Sequence, residues 1–115
     1  MLLEILRKNL NSFSSVSDLL KKFKNNVKLY EGYSHIILDK IDLKDVNFVF
    51  LDGGHSYKTV KNDINILLKK LSKSTTIICD DYNQDHYGVK KAVDEIDKKK
   101  FKVTILNDRF AEIIT

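Results

Sequence analysis

The chain has 115 residues, 43% of them hydrophobic and 31% charged, a composition that suits one globular domain over 1–115 and excludes a disordered chain. No apolar run is long enough to span a bilayer, and Met1–Arg7 carries Glu4 inside its apolar stretch with no small-residue cleavage site, so the expectation is a cytoplasmic protein with no membrane partner. The net charge of +4 comes from 18 lysines and two arginines scattered along the chain, with one short run at Lys98–Lys100; nucleic-acid binding needs a focused basic patch, so no nucleic-acid partner is expected.

Leu3, Leu6 and Leu10 recur at helical spacing and predict a first helix. Asn11–Ser15 breaks that pattern, and Ser15 with Asp18 reads as a capping box for a second helix carrying Val16, Leu19, Leu20 and Phe23 on one face. Asn25 and Asn26 end it. Val27–Gly32 alternates as a short strand, and Ser34–Lys40 follows as a short helix. Val46–Leu51 is the most apolar segment and reads as a central strand buried on both faces. Ser56 is placed to cap a helix with Val60, Ile64, Leu67, Leu68 and Leu71 on one face. Thr75–Cys79 is a second buried strand. Its Cys79, the only cysteine, has no metal motif around it and reads as a buried structural thiol. Val89, Ala92, Val93 and Ile96 mark the core face of the next helix. Phe101–Leu106 and Arg109–Ile114, separated by Asn107-Asp108, predict a closing antiparallel hairpin.

Alternating strands and helices imply an α/β fold with a mostly parallel sheet. Ligands in such sheets bind beyond the carboxyl ends of the strands. That rule selects Gly32-Tyr33-Ser34, Asp52-Gly53-Gly54-His55 and Asp80-Asp81-Tyr82, where the potentially reactive residues also gather. Asp52, Asp80 and Asp81 could share a hard divalent ion such as Mg2+ or Mn2+, with Asn83 as a further oxygen donor. The alternative is that one of the adjacent pair caps the next helix while the other is solvated. His55 has the side chain for proton transfer near neutrality; the alternative is a histidine bonded to backbone at a helix start. His35 and His86 are expected to be structural or solvent-facing, and Tyr57 and Tyr82 to line a pocket or pack. No phosphate-binding glycine loop or G-x-G-x-x-G pattern is present.

Phe48–Tyr57 with Val60 and Asp63 resembles the IDGxHSY…V…D stretch of class I S-adenosylmethionine-dependent methyltransferases, in the branch of small-molecule and sugar O-methyltransferases. Asp80-Asp81-Tyr82 followed by Gly88–Glu95 resembles the DDY…GVKxAVDE stretch of the same group. The resemblance covers roughly 27–115 and implies the C-terminal part of a Rossmann-like methyltransferase fold. It implies strands three to seven of the family's seven-stranded sheet, without the first strand, its glycine-rich cofactor loop and the second strand. It also implies S-adenosylmethionine as cofactor, with Gly32, Tyr33, Ser34, Asp52 and Gly53 as cofactor-binding residues. In metal-dependent relatives the matching acids hold magnesium, which assigns Asp52, Asp80 and Asp81 as ligands. Asp52 and His55 become the catalytic pair, with His55 as general base. Tyr33 stands where the family often has an acid, and Gly54 where relatives often have another.

Two functions follow from this resemblance. One is methyl transfer to a hydroxyl of a small molecule or sugar, by an enzyme completed by an N-terminal segment or a partner chain. The other is an inactive remnant of the fold serving as an interaction or oligomerisation module. In either case a second copy or a partner chain is expected to cover the open sheet edge. A phospho-acceptor receiver domain is disfavoured, because its acidic pair precedes the acceptor aspartate and here it follows Asp52.

Overall fold

The computed structural model of the protein describes residues 4–6, 10–83 and 85–115, with side chains described from Ser14 onward. The elements run β1 (Glu4–Leu6), α1 (Leu10–Leu20) with a 3-10 turn at Lys21–Phe23, β2 (Leu29–Glu31), α2 (Ser34–Lys40), β3 (Phe48–Leu51), α3 (Tyr57–Lys70), β4 (Thr76–Cys79), α4 (Tyr87–Asp94), β5 (Lys102–Leu106) and β6 (Phe110–Ile114). Strands β1 and β2 pair in parallel; the other four form a mixed sheet in the order β3-β4-β6-β5. Within it β3 and β4 are parallel, and β6 runs antiparallel to both β4 and β5.

The expected first helix is corrected. Leu3 lies outside the described residues, and Glu4–Leu6 is a strand in register with Leu29–Glu31. A leucine at every third or fourth position fits a helix, but the contiguous run Ile5-Leu6 fits a strand equally, and pairing with β2 decides it. The expected break at Asn11–Ser15 and the Ser15 cap are corrected with it, since α1 runs straight through them. Serine and asparagine cost a helix only about half a kcal/mol each, too little to interrupt one supported by its neighbours. Of its expected apolar face, Val16 and Leu20 are half-buried while Leu19 and Phe23 stay exposed.

From α2 onward the order of the elements is the expected one. Ile77 and Cys79 of β4 and Ala111 and Ile113 of β6 point to one face of the mixed sheet. They are buried there with Val60, Ile64 and Leu67 of α3 and Val89, Ala92 and Val93 of α4. The Ser56 hydroxyl accepts a hydrogen bond from the Thr59 N–H and caps α3 as expected. The closing connection Asn107–Arg109 joins paired Leu106 and Phe110, with Asn107 and Asp108 at φ 52° and 51° and the Arg109 N–H donating to the Leu106 carbonyl.

Strand β3 departs from expectation. Among the described residues it pairs only with β4 and so forms an edge of its sheet. Val49 and Leu51 pack on the core, but Phe48 and Phe50 on the other face are 40% and 44% exposed. An unbroken apolar run cannot tell an edge strand from a central one, because both faces read alike.

Helix α2 follows β2 and packs against α3. The Lys70 ammonium donates to the carbonyls of Leu38, Asp39 and Ile41 at 2.6, 2.9 and 2.7 Å, satisfying acceptors that a helix end leaves open. At the other end the Ser34 hydroxyl donates to Oδ2 of buried Asp63 at 2.6 Å. No helix among the described residues is long and apolar enough to cross a membrane.

Candidate functional site

Parallel β3 and β4 end side by side, with Leu51 opposite Cys79. The residues that follow them, Asp52-Gly53-Gly54-His55 and Asp80-Asp81, line a shallow pocket floored by Leu51, Val60 and Cys79. Its enclosed cavity volume is only about 10 Å³, far below the roughly 300–1,000 Å³ of sites that enclose a drug-sized ligand. These residues therefore form one wall of a larger site or a complete site for something as small as an ion.

Asp52, Asp80 and Asp81 each offer an oxygen within 4.8 Å of the others. The convergence expected from the strand ends is thus present, but two of the three acids already have partners. Arg109, brought from the start of β6, donates from Nε to Asp80 Oδ1 at 3.0 Å and from its terminal nitrogen to Oδ2 at 3.3 Å. The Asp80 side chain is only 10% exposed. The Arg109 hydrogen bonds hold its carboxyl below the ordinary carboxylate range; burial opposes that shift, and a bond from the Asp81 N–H reinforces it. Arg109 is the cation of this strand end, an assignment the sequence reading did not make.

Asp81 sits at φ 63°, a left-handed conformation that aspartate tolerates better than most residues. Its Oδ2 lies 2.8 Å from His55 Nε2 and its Oδ1 lies 3.8 Å from His86 Nε2. The two imidazoles are neighbours, with ring centroids 4.1 Å apart and planes tilted by 32°. His86, expected to be structural or solvent-facing, therefore belongs to the site. Its backbone N–H donates to the Asn83 side chain at 3.0 Å, which places Asn83 in the loop's support.

The His55 loop is set by α4. A Cβ at Gly88 would stand 2.3 Å from the His55 carbonyl oxygen and 2.6 Å from the Tyr57 nitrogen. The rest of that helix holds the tyrosines. Tyr57 donates to Glu95 at 2.6 Å, and Tyr82 donates to Asp94 at 2.6 Å with Lys90 bridging both. Both tyrosines brace α4 through their hydroxyls, and Tyr57 and Tyr82 also pack against the core. Cys79, buried beneath the pocket, has its thiol pushed up to about 12 by burial and is inert as a nucleophile.

The other sequence-selected turn, Gly32-Tyr33-Ser34, lies at the carboxyl end of β2 in the smaller sheet. Gly32 adopts φ +145° with Ile37 against it. Tyr33 exposes most of its side chain, and the Ser34 hydroxyl is committed to Asp63.

The sequence profile of a family described as methyltransferase domain matches residues 4–82. The chain belongs to this methyltransferase-domain family. No curated protein matches the chain. Solved structures match its fold, a partial Rossmann-like methyltransferase fold. One is the S-adenosylhomocysteine-bound methyltransferase PaMTH1 of Podospora anserina, at TM-score 0.72 and 15% identity over 96% of this chain and 59% of that one. A second is a Clostridium thermocellum protein provisionally assigned as an rRNA methylase, at TM-score 0.76 and 16% identity over 96% and 70%. A third is CalS11, a TDP-rhamnose 3'-O-methyltransferase of calicheamicin biosynthesis, at TM-score 0.68 and 14% identity over 88% and 51%. The chain thus spans between half and three-fifths of the length of PaMTH1 and CalS11.

Proposed function

We propose that this methyltransferase domain takes part in S-adenosylmethionine-dependent methyl transfer to a hydroxyl oxygen of a small molecule or sugar. The observation that carries the reading is the His55–Asp81 pair at 2.8 Å, at the strand ends where this fold places its ligands. With Nε2–H donated to Asp81, the imidazole has Nδ1 left to take a proton, the arrangement of a carboxylate-oriented general base. The cofactor supplies a methyl group on a positively charged sulfur. His55 removes the acceptor's proton, and Asp81 fixes the ring and stabilises the imidazolium. Support for the cofactor comes from family membership and from PaMTH1, whose structure holds S-adenosylhomocysteine. Support for an oxygen acceptor comes from CalS11.

The residues present fit one side of such a cofactor. Gly53 and Gly54 bring bare backbone to the end of β3, and Tyr33 offers an exposed aromatic face at the end of β2. Magnesium fits the acids less well. Asp80 is already neutralised by Arg109 and Asp81 is engaged by His55.

Calorimetric titration of the full chain with S-adenosylmethionine tests the reading, followed by transfer of labelled methyl to a panel of catechols and sugar nucleotides. Micromolar binding with transfer to one acceptor class supports it. A folded chain that ignores millimolar cofactor defeats it for this chain.

The exposed Phe48 and Phe50 on an edge strand favour a second reading, a fold module whose β3 edge is covered by another copy or a partner chain. Sedimentation analysis of the wild type against a Phe48→Thr/Phe50→Thr double variant tests it. A wild type that stays monomeric at all concentrations removes the self-association arm.

A further inference from the structure

We propose that His55, Asp81 and His86 form a binding site for a divalent transition-metal ion with the ligand preferences of zinc. Two imidazole nitrogens and one carboxylate oxygen are a donor set that favours such ions over magnesium, which seeks oxygen ligands and water. One ligand atom from each residue lies within 4.8 Å of the other two. Ligands about 2.1 Å from a tetrahedral ion stand about 3.4 Å apart. The His86–Asp81 separation of 3.8 Å is near that value. The 2.8 Å contact of His55 is to the other oxygen, Oδ2, so a turn of the Asp81 carboxylate is needed to set one oxygen between the two imidazoles, and the side chain of His55, 55% exposed, has room to follow.

The 3.8 Å gap is itself informative, because it is too long for a hydrogen bond. His86 is held beside the carboxylate by its surroundings, through the Asn83 side chain on its backbone N–H and the neighbouring His55 ring. Asp81 keeps a left-handed backbone that carries its two oxygens toward the two imidazoles. Backbone departures of this kind gather at functional sites. Asp80, turned to Arg109, is not among the three ligands. Three protein ligands leave a fourth position for water or another oxygen.

The consequence for methyl transfer rests on the function proposed above; the binding itself does not. An ion on Nε2 of His55 leaves the ring's proton on Nδ1, so the imidazole cannot act as a base. Metal occupancy and base catalysis then exclude one another, and the ion acts as an inhibitor of the site.

The test is titration of the untagged full chain with Co2+, read from its visible absorption, with Zn2+ and Mg2+ as competitors. The expected result is one Co2+ per chain with a Kd of about 10 μM or tighter. Zn2+ should displace it, and Mg2+ in about hundredfold excess should not. His55→Ala and His86→Ala should each weaken binding by about tenfold or more, and Asp52→Asn, which removes a neighbouring charge but no ligand, should weaken it less than either, with the fold checked by circular dichroism. His86→Gln serves if the alanine variant does not fold. Binding indifferent to His86, or weakened as much by Asp52→Asn as by His86→Ala, overturns the proposal. Metal binding by a chain that transfers no methyl group would leave the site standing and defeat the function.

Discussion

Gly88 and His55 meet so closely that a methyl group at position 88 would lie 2.3 Å from the His55 carbonyl oxygen. In an open helix, glycine to alanine stabilises by about 1 kcal/mol. Here the sign should reverse. Gly88→Ala must push α4 away from backbone, which cannot swing aside as a side chain can, and overpacking of this kind costs about 1–3 kcal/mol. Urea denaturation should show a lower midpoint with an unchanged slope. A variant as stable as the wild type would mean that α4 and the His55 loop are not packed as described.

The pairing of Arg109 with Asp80 predicts a pH signature. The folded Asp80 carboxyl titrates below its unfolded value of about 3.9, so its contribution to stability is complete above that range and falls away as the pH drops through the folded value. Arg109→Ala should therefore lower stability at neutral pH, and the gap to the wild type should narrow below about pH 4. Denaturation curves from pH 7 to 3 measure this. A gap of constant size across that range would show that Arg109 acts through packing alone.

The parts of this site that were legible in the sequence are those set by local signals. Strand ends at Asp52 and Asp80-Asp81 follow from apolar runs that stop at acids. The span of α2, the Ser56 cap and apolar face of α3 and the core face of α4 follow from local spacing. Arg109 and His86 were not legible, because their roles depend on which strands become neighbours. Arg109 lies 29 residues from Asp80 and reaches it only because β6 inserts between β4 and β5. The one hint was the hairpin itself, which returns the chain to the carboxyl end of β4. Strand β1 failed for a related reason. Three residues carry too little periodicity to outvote a leucine pattern, and only pairing with β2 identifies them.

If His55 is the base and Asp81 its orienting partner, their variants should differ in kind. His55→Gln should lower kcat by about 10²–10⁴ with cofactor affinity unchanged. Asp81→Asn keeps the shape but reverses the hydrogen-bond demand on Nε2, so it should also lower kcat while leaving KM for the acceptor near the wild-type value. Steady-state kinetics with the acceptor class found in the labelling panel decides. A His55→Gln variant at full speed would remove the histidine from the chemistry.

Lys70 offers a stability test away from the pocket. Its ammonium serves three carbonyls at the end of α2, a helix of only seven residues that could not persist alone. Lys70→Met keeps the apolar stem and removes all three donors. Hydrogen bonds from charged groups contribute about 1.5–3 kcal/mol, so the variant should lose about that much. The loss should be local as well as global, since the same helix carries the Ser34–Asp63 bond at its start and follows the Gly32-Tyr33-Ser34 turn. Hydrogen exchange in Lys70→Met should quicken in residues 34–41 more than in α3 or β4. Uniform quickening across the chain would instead mean that α2 unfolds only with the whole domain.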